Sequence, residues 1–401
     1  MENKFSNKKA LLSLAIGGFG IGLTEFVIMG ILPNVANSLA ISIPEAGHFI
    51  SAYAFGVVVG APLLTSFSYK FSPNRMLLLL MVWFTVFNTL SAFSTNYNML
   101  LAMRFLSGLP HGAFFGVGAV IAGKLAKKGK TAQAIATMFS GLTIANVIGV
   151  PIGTYLGNQY HWSASFLMVG VVGVVTLASI FYWMPKFNKE EKSSSDIEQK
   201  GLKNPELWGL IALTTIGTGG FFAWYSYIAP LLMEVAHFSE AVVSYAMIIA
   251  GIGMFIGNFL GAKMAQIFTP LRSVLISLLT MTVVLTVNSF IASNGVLTLI
   301  LTCLIGLIAF SISTPIQMAI INSSKGAEML GSSMNQSAFN MGNAMGAYLA
   351  GLPIAYGYSV TSSSLVGAAL AFSGGCIAIS ILLYRHRKIK KGKQRAYTCN
   401  A

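Results

Sequence analysis

Three ionisable side chains stand inside apolar stretches of the sequence: Glu25, Arg104 and His111. Glu25 precedes Pro33 by eight residues, so its carboxyl group lies roughly 12 Å from that end of a helix. A charged carboxyl group is costly in a hydrocarbon core unless it is paired, protonated or hydrated. Such a group suits the uptake and release of a proton, although an ion pair that only locks two helices would place the same residue there.

Arg104 lies at a similar depth, roughly 9 Å from Asn98, so a Glu25–Arg104 pair is possible. Arg104, Gly108, His111 and Phe115 follow helical spacing and share one face. Since an imidazole changes protonation near neutral pH, that face could present a charge, a switchable group and an aromatic ring to a cavity. The alternative for His111 is a hydrogen bond that packs two helices. We predict Glu25, Arg104 and His111 as the proton-coupling residues.

The elements that position these residues are membrane-spanning helices. Only 9% of the 401 residues are charged and 55% are hydrophobic, too little charge for a water-facing surface. A span needs about 20 mostly apolar residues. Hydropathy predicts twelve spans, near residues 10–33, 46–68, 75–94, 98–123, 132–157, 162–185, 206–233, 241–265, 272–293, 296–321, 329–354 and 360–384.

The basic residues give the orientation of these spans. Of the 25 Lys and Arg residues, all except Arg104 fall in loops or ends on one side of the predicted spans. This is the positive-inside pattern, and it predicts a protein of a bacterial inner membrane with both termini on the cytoplasmic side. The net charge of +14 therefore indicates topology and contacts with anionic lipid rather than nucleic-acid binding.

A charged stretch and an internal repeat divide the chain. We predict a six-helix bundle over 1–185, a cytoplasmic linker over 186–205, a second six-helix bundle over 206–384 and a basic cytoplasmic tail over 385–401. Residues 42–75 align without gaps with residues 239–272, and the matches include Gly56 with Gly253 and Gly60 with Gly257. The fold class is therefore an all-α membrane protein with twelve helices in two pseudo-symmetric bundles, the architecture of transporters whose halves rock about a central site.

Small residues and prolines predict close packing and bending of spans four and five. Lys70 and Arg75 follow span two and could serve a gate or only anchor the topology. The predicted gating and packing residues are Gly60, Lys70, Arg75, Gly149, Pro151 and Gly153.

Amides and aromatic rings are concentrated in the second half, where no charge lies deep in a span. Such groups suit a neutral hydroxylated or heteroaromatic substrate, although each could instead form a hydrogen bond between helices. Asn335, Phe339 and Asn343 are four residues apart and share a face. The predicted substrate-cavity residues are Tyr53, Phe115, Asn146, Trp224, Tyr225, Tyr227, Gln317, Asn335, Phe339 and Asn340.

The segments RFLSGLPHGAFFGVGAV and ANVIGVPIGTYLG, with TEFVIMGILPNVA, ISAYAFGVVVGAP and FFAWYSYIAPLL, resemble the major facilitator superfamily. The resemblance is to its twelve-span drug:H+ antiporter branch and to arabinose-efflux-type (AraJ-like) permeases. It implies the twelve-helix fold and transport of a small molecule. The family's loop between spans two and three carries an Asp before basic residues; this chain has Tyr69 there, and Gln266 in the second copy. A gate latched by that Asp is therefore in doubt.

These patterns predict a secondary transporter that exports a small organic molecule, such as a sugar, a nucleoside-like or a drug-like compound, in exchange for protons. A proton-independent facilitator or an importer shares every feature of the fold, and a membrane sensor is a remote alternative. No nucleotide-binding loop or catalytic constellation is evident, so we expect neither an enzyme nor a cofactor or metal. We expect a monomer whose partners are its substrate, protons and the bilayer.

Overall fold

A computed structural model describes residues 4–41, 43–188 and 203–399. Twelve long helices account for most of the described residues. Their bounds are α1 Lys4–Ser38, α2 Ile43–Ser66, α3 Pro73–Ala92, α4 Tyr97–Leu125, α5 Thr131–Gly157, α6 Ser163–Trp183, α7 Pro205–Tyr225, α8 Glu240–Ile267, α9 Pro270–Ile291, α10 Gly295–Ser323, α11 Glu328–Ala355 and α12 Ser362–Cys399. Most of the predicted linker lies outside the described residues, and the division into domains stays a prediction.

Local sequence sets several helix boundaries. Pro73, Pro205 and Pro270 each begin a helix, where the missing N–H costs nothing. Asn96 and Asn294 cap α4 and α10. The side chain of Asn96 accepts a hydrogen bond from Met99 N, and that of Asn294 accepts one from Leu297 N. A π-helical segment, Ala145–Gly149, interrupts α5 just before Pro151, which has no N–H to donate to the preceding turn.

Eleven of the twelve helices are long and apolar enough to cross a membrane. The exception is α11, whose 28 residues are long enough but include many amides and hydroxyls. It packs against α2, α4 and α7 rather than facing lipid on all sides. Large apolar side chains such as Phe181 and Phe290 are exposed on the outside of the bundle, as a lipid-facing surface requires.

The ends of the helices that carry basic residues meet on one face of the molecule. The Asn7 side chain at the start of α1 donates to Leu125 O at the end of α4. In the second half Arg385 pairs with Glu206, which also accepts a hydrogen bond from Ser323 at the end of α10. We call this the basic face, and the other end of the bundle the opposite face.

The two halves contact each other closely in the part of the bundle nearest the basic face. Thr65 Oγ1 lies 2.6 Å from Ser333 Oγ, and Asn258 Nδ2 donates to Ala136 O at 2.7 Å. Gln266 Nε2 donates to Gly129 O at 3.0 Å. Three alanines, Ala132, Ala136 and Ala262, fill the space between α5 and α8. This seam joins the halves on the basic side.

Candidate functional site

A cavity lies between the two halves, deep in the bundle. Its empty volume, which includes the open space at its mouth, is about 720 Å³. Helices α1, α4 and α5 of the first half and α7, α9, α10 and α11 of the second contribute to it. Its principal lining side chains are Glu25, Phe26, His111, Phe139, Thr218, Phe221, Phe222, Phe310, Ser313, Gln336, Phe339, Asn340 and Asn343.

Glu25 faces this cavity. Its side chain is partly exposed, and the exposed part belongs to the lining. The neighbouring Thr24 is fully buried and turned toward α3 and α4 instead. Adjacent residues on a helix point about 100° apart, so one residue serves the cavity and the other the helix contacts.

Arg104 is fully buried behind the cavity wall and is anchored by α1 and α2. Its Nη1 donates to Thr24 Oγ1 at 2.9 Å, its Nη2 to Thr24 O at 3.1 Å and its Nε to Phe49 O at 3.4 Å. The guanidinium carbon lies 4.4 Å from the centre of the Tyr53 ring, a cation–π contact. Thr24 in turn donates to Asn88 on α3.

The possible Glu25–Arg104 pair is therefore not formed as a direct contact. Within the described residues no hydrogen bond or ion pair joins the two side chains, because the donors of Arg104 are directed to Thr24 and Phe49. The guanidinium of Arg104 is bound to Thr24, the residue before Glu25, so its positive charge lies near the Glu25 carboxyl group without touching it. Thr24 and Asn88 were missed by sequence reasoning, although a threonine beside the only deep acid was a signal that could have been used.

His111 lines the cavity and is 2% exposed. Its Nδ1 lies 3.1 Å from Tyr53 Oη, so the helix-packing hydrogen bond considered from the sequence exists. The same ring also packs against Phe115, whose ring is stacked on Phe139 at 5.0 Å. Tyr53 and Phe115 thus stand behind His111 and Phe139 rather than in the lining itself.

The predicted cavity residues of the second half divide into two groups. Phe339 and Asn340 line the cavity. Gln317 and Asn335 do not: Asn335 accepts from Thr214 at 3.0 Å and donates to Gln317 Oε1 at 2.6 Å, and Gln317 donates to Ser332. Their role in substrate binding stays a prediction, and the buried network ties α7, α10 and α11 together.

The remaining candidates also lie outside the lining. Tyr225 stacks on Phe221 at 4.9 Å, and Trp224 is fully buried. Tyr227 donates to Ala347 O at 3.2 Å. Asn146 donates to Leu142 O at 3.1 Å within α5. These four residues support the helices that form the cavity.

The predicted packing residues occupy tight helix contacts. A Cβ on Gly60 would collide with the carbonyl oxygen of Leu109, and one on Gly153 would lie 2.6 Å from Val27. Gly149 belongs to the π-helical segment before Pro151 and meets the Phe19 ring. Their role in gating stays a prediction.

Lys70 and Arg75 are exposed on the basic face, and Lys70 lies over the Phe67 ring at 4.8 Å. Neither residue takes part in the seam described above. Gln266, which stands where the repeat would place the family's Asp, does: its side chain also donates to Gln133 Oε1 at 2.5 Å. The contact between the halves is formed by neutral amides at this position.

Twelve helices in two similar sets, with a mixed polar and aromatic cavity between them, define a membrane transporter. The profile of the Major Facilitator Superfamily matches residues 14–350. The chain belongs to this superfamily, whose members are transporters and not enzymes.

Two relatives and one solved structure are similar over nearly the whole chain. The chain is 39% identical to AraJ of Escherichia coli K12, over 95% of this chain and 96% of that protein. It is 40% identical to the inner membrane transport protein YdhP of the same strain, over 90% and 92%. The proton:xylose symporter XylE matches with a TM-score of 0.79 at 12% identity, over 94% of this chain and 96% of that one, and shows the fold alone.

Proposed function

We propose that this protein exports a small organic molecule in exchange for protons, by alternating access to the central cavity. The observation that carries the proposal is Glu25, a carboxyl group that shares one cavity with the amides of Gln336 and Asn340. A proton and a substrate held in the same space exclude or displace each other, which is the requirement for exchange. The substrate classes in view are sugars, nucleoside-like and drug-like molecules.

The anchored Arg104 supports this assignment of roles. Its charge is fixed by Thr24 and Phe49, so it stays in place while Glu25 changes protonation. A cation held near but not on the carboxyl group leaves that group accessible from the cavity. His111 lies in the same wall and could pass a proton between Glu25 and the cavity, or hold Tyr53 only.

The contacts in the seam support an assignment of which side of the membrane the cavity is closed to. The halves are joined near the basic face, which the positive-inside rule assigns to the cytoplasm. We therefore assign this conformation as closed to the cytoplasm, with both termini on that side. One chain encloses the whole cavity, so a monomer suffices.

The test is transport by inside-out membrane vesicles with a pH-sensitive dye and a panel of sugars, nucleosides and antimicrobials. Glu25→Gln keeps the size of the side chain and removes its titratable charge. We expect substrate-driven proton movement to fall to background in Glu25→Gln while the protein is still expressed and folded. Glu234→Gln, an exposed acid outside the cavity, is the matched control and should behave as the unaltered protein.

A proton symporter is a second candidate, favoured by the fold that this chain shares with XylE, a proton:xylose symporter. In that case substrate and proton move in the same direction across the vesicle membrane. Proton movement that survives in Glu25→Gln would remove the carboxyl group from the coupling mechanism, whereas substrate transport without proton movement in the unaltered protein would leave a proton-independent facilitator.

A further inference from the structure

Two buried amide atoms in the cavity wall have no hydrogen-bond partner among the described residues: Gln336 Nε2 and Asn340 Oδ1. Both side chains are 5% exposed and both line the cavity. They stand four residues apart on α11, so they lie on one face, about 6 Å apart along the helix axis. One atom is a hydrogen-bond donor and the other an acceptor.

Such atoms are costly to leave unpaired in a buried site, whereas a ligand that pairs them recovers the loss. The other half of the Asn340 amide is already used, since its Nδ2 donates to Gln336 O at 3.1 Å. The Thr218 hydroxyl is used as well, because it donates to Thr214 O at 2.7 Å. One face of α11 thus offers an unpaired donor and an unpaired acceptor, and the other polar side chains of the wall are Glu25, His111, Ser313 and Asn343.

Aromatic side chains form much of the remaining wall. Six phenylalanines line the cavity, from both halves of the molecule: Phe26, Phe139, Phe221, Phe222, Phe310 and Phe339. None has a hydroxyl group, so they favour flat, apolar faces, and they would leave the hydroxyls of a sugar without partners. A ring system fits these walls better than a polyol of the same size.

We propose that the substrate is an uncharged planar aromatic or heteroaromatic molecule whose edge carries one hydrogen-bond acceptor for Gln336 Nε2 and one donor for Asn340 Oδ1. That the substrate is uncharged rests on the proposed function, in which Glu25 binds the proton rather than a charged group of the substrate. A lactam or amide on a fused ring has this pattern of acceptor and donor. The proposal selects among the sugar, nucleoside-like and drug-like classes and excludes the sugar.

The probe is tritiated 2-quinolone, a planar bicyclic lactam, and the measurement is equilibrium binding to the purified full chain in detergent. We expect saturable binding that unlabelled 2-quinolone displaces. N-methyl-2-quinolone, which lacks the N–H donor, should compete about tenfold less well, and D-xylose should not compete. This comparison uses the unaltered protein only.

Two isosteric variants locate the contact. Gln336→Met removes the donor and Asn340→Leu removes the acceptor, and each should weaken 2-quinolone binding about tenfold. Asn340→Leu should in addition bind the two quinolones equally, because the partner of the N–H group is gone. Asn98→Leu, at an exposed amide outside the cavity, should bind as the unaltered protein does.

The proposal is overturned if 2-quinolone does not bind, if D-xylose competes as well as 2-quinolone, or if N-methylation and both substitutions leave its affinity unchanged. Should a variant fail to fold, the comparison of the two quinolones still decides. Binding in detergent requires no gradient, so a failure of proton coupling in vesicles leaves this result untouched, and the two proposals fail separately.

Discussion

The two halves of the molecule share their packing but not their chemistry. In the first half a Cβ on Gly60 would collide with the Leu109 carbonyl oxygen, and in the second a Cβ on Gly257 would collide with that of Leu307. The pair α2 and α4 therefore approaches as closely as the pair α8 and α10. The repeat in the sequence preserves the residues that allow the backbones to touch.

The polar residues on the same helices are not preserved. At the offset that superimposes the glycines of α4 and α10, Arg104 corresponds to Thr302 and His111 to Ala309. Thr302 only donates to Thr298 O in its own helix, whereas Arg104 holds α1 and α2. The two halves therefore share the glycines that let their helices touch, whereas the buried charge lies in the first half and neutral amides lie in the second.

The largest expected effect comes from making the first half resemble the second. Arg104→Thr leaves Thr24 and Phe49 without their donor and opens a void beside Tyr53 and Phe166. We expect the free energy of unfolding to fall by about 3 kcal/mol, measured by thermal unfolding in detergent. Thr302→Val, the matched change in the second half, should cost less than about 1 kcal/mol because its bond is local. Equal losses at the two positions would contradict the comparison.

A smaller effect is expected from the amide network of the second half. Asn335→Leu leaves Thr214 and Gln317 without their shared partner, so we expect a loss of about 1–3 kcal/mol in the free energy of unfolding. Asn335→Leu combined with Gln317→Leu should cost less than the sum of the two single changes.

The same variant separates structure from specificity. Because Asn335 does not line the cavity, the order of substrate preference should stay as in the unaltered protein. A transport panel that reorders substrates in Asn335→Leu, while Asn340→Leu leaves the order unchanged, would exchange the roles given to these two amides.

The length and order of the helices could be predicted from sequence, because a bilayer demands about 20 apolar residues per span. The prediction of 162–185 for the sixth span, against α6 over Ser163–Trp183, shows how closely this works. The rotation of α11 could not be predicted. It has polar residues on two faces, and packing against α2, α4 and α7 decides which face meets the cavity.

The same limit explains why the expected Glu25–Arg104 contact is not formed. Depth along a helix follows from counting residues, but direction around it depends on the neighbours. Arg104 reaches α1 at the right depth and meets Thr24, one position before the acid. The unpaired atoms of Gln336 and Asn340 are likewise visible only once their surroundings are known.

The weakest effect is expected at the seam between the two halves. Gln266 of the second half donates to Gln133 and Gly129 of the first, a neutral contact where the family's pattern has a charge. Gln266→Leu removes both hydrogen bonds, worth about 1 kcal/mol in total, and should increase the population open to the basic face about fivefold. The measurement is the labelling rate of a cysteine placed at Ala262, which is buried between the halves, in a background without the native cysteines.

Gln133→Leu should increase labelling by a similar or smaller factor, since Gly129 still accepts from Gln266, and the double variant should add little to Gln266→Leu. Because no ionic pair takes part in this contact, the labelling rate of the unaltered protein should change little between low and high salt, whereas a strong salt dependence would show that charge, and not these amides, holds the halves together.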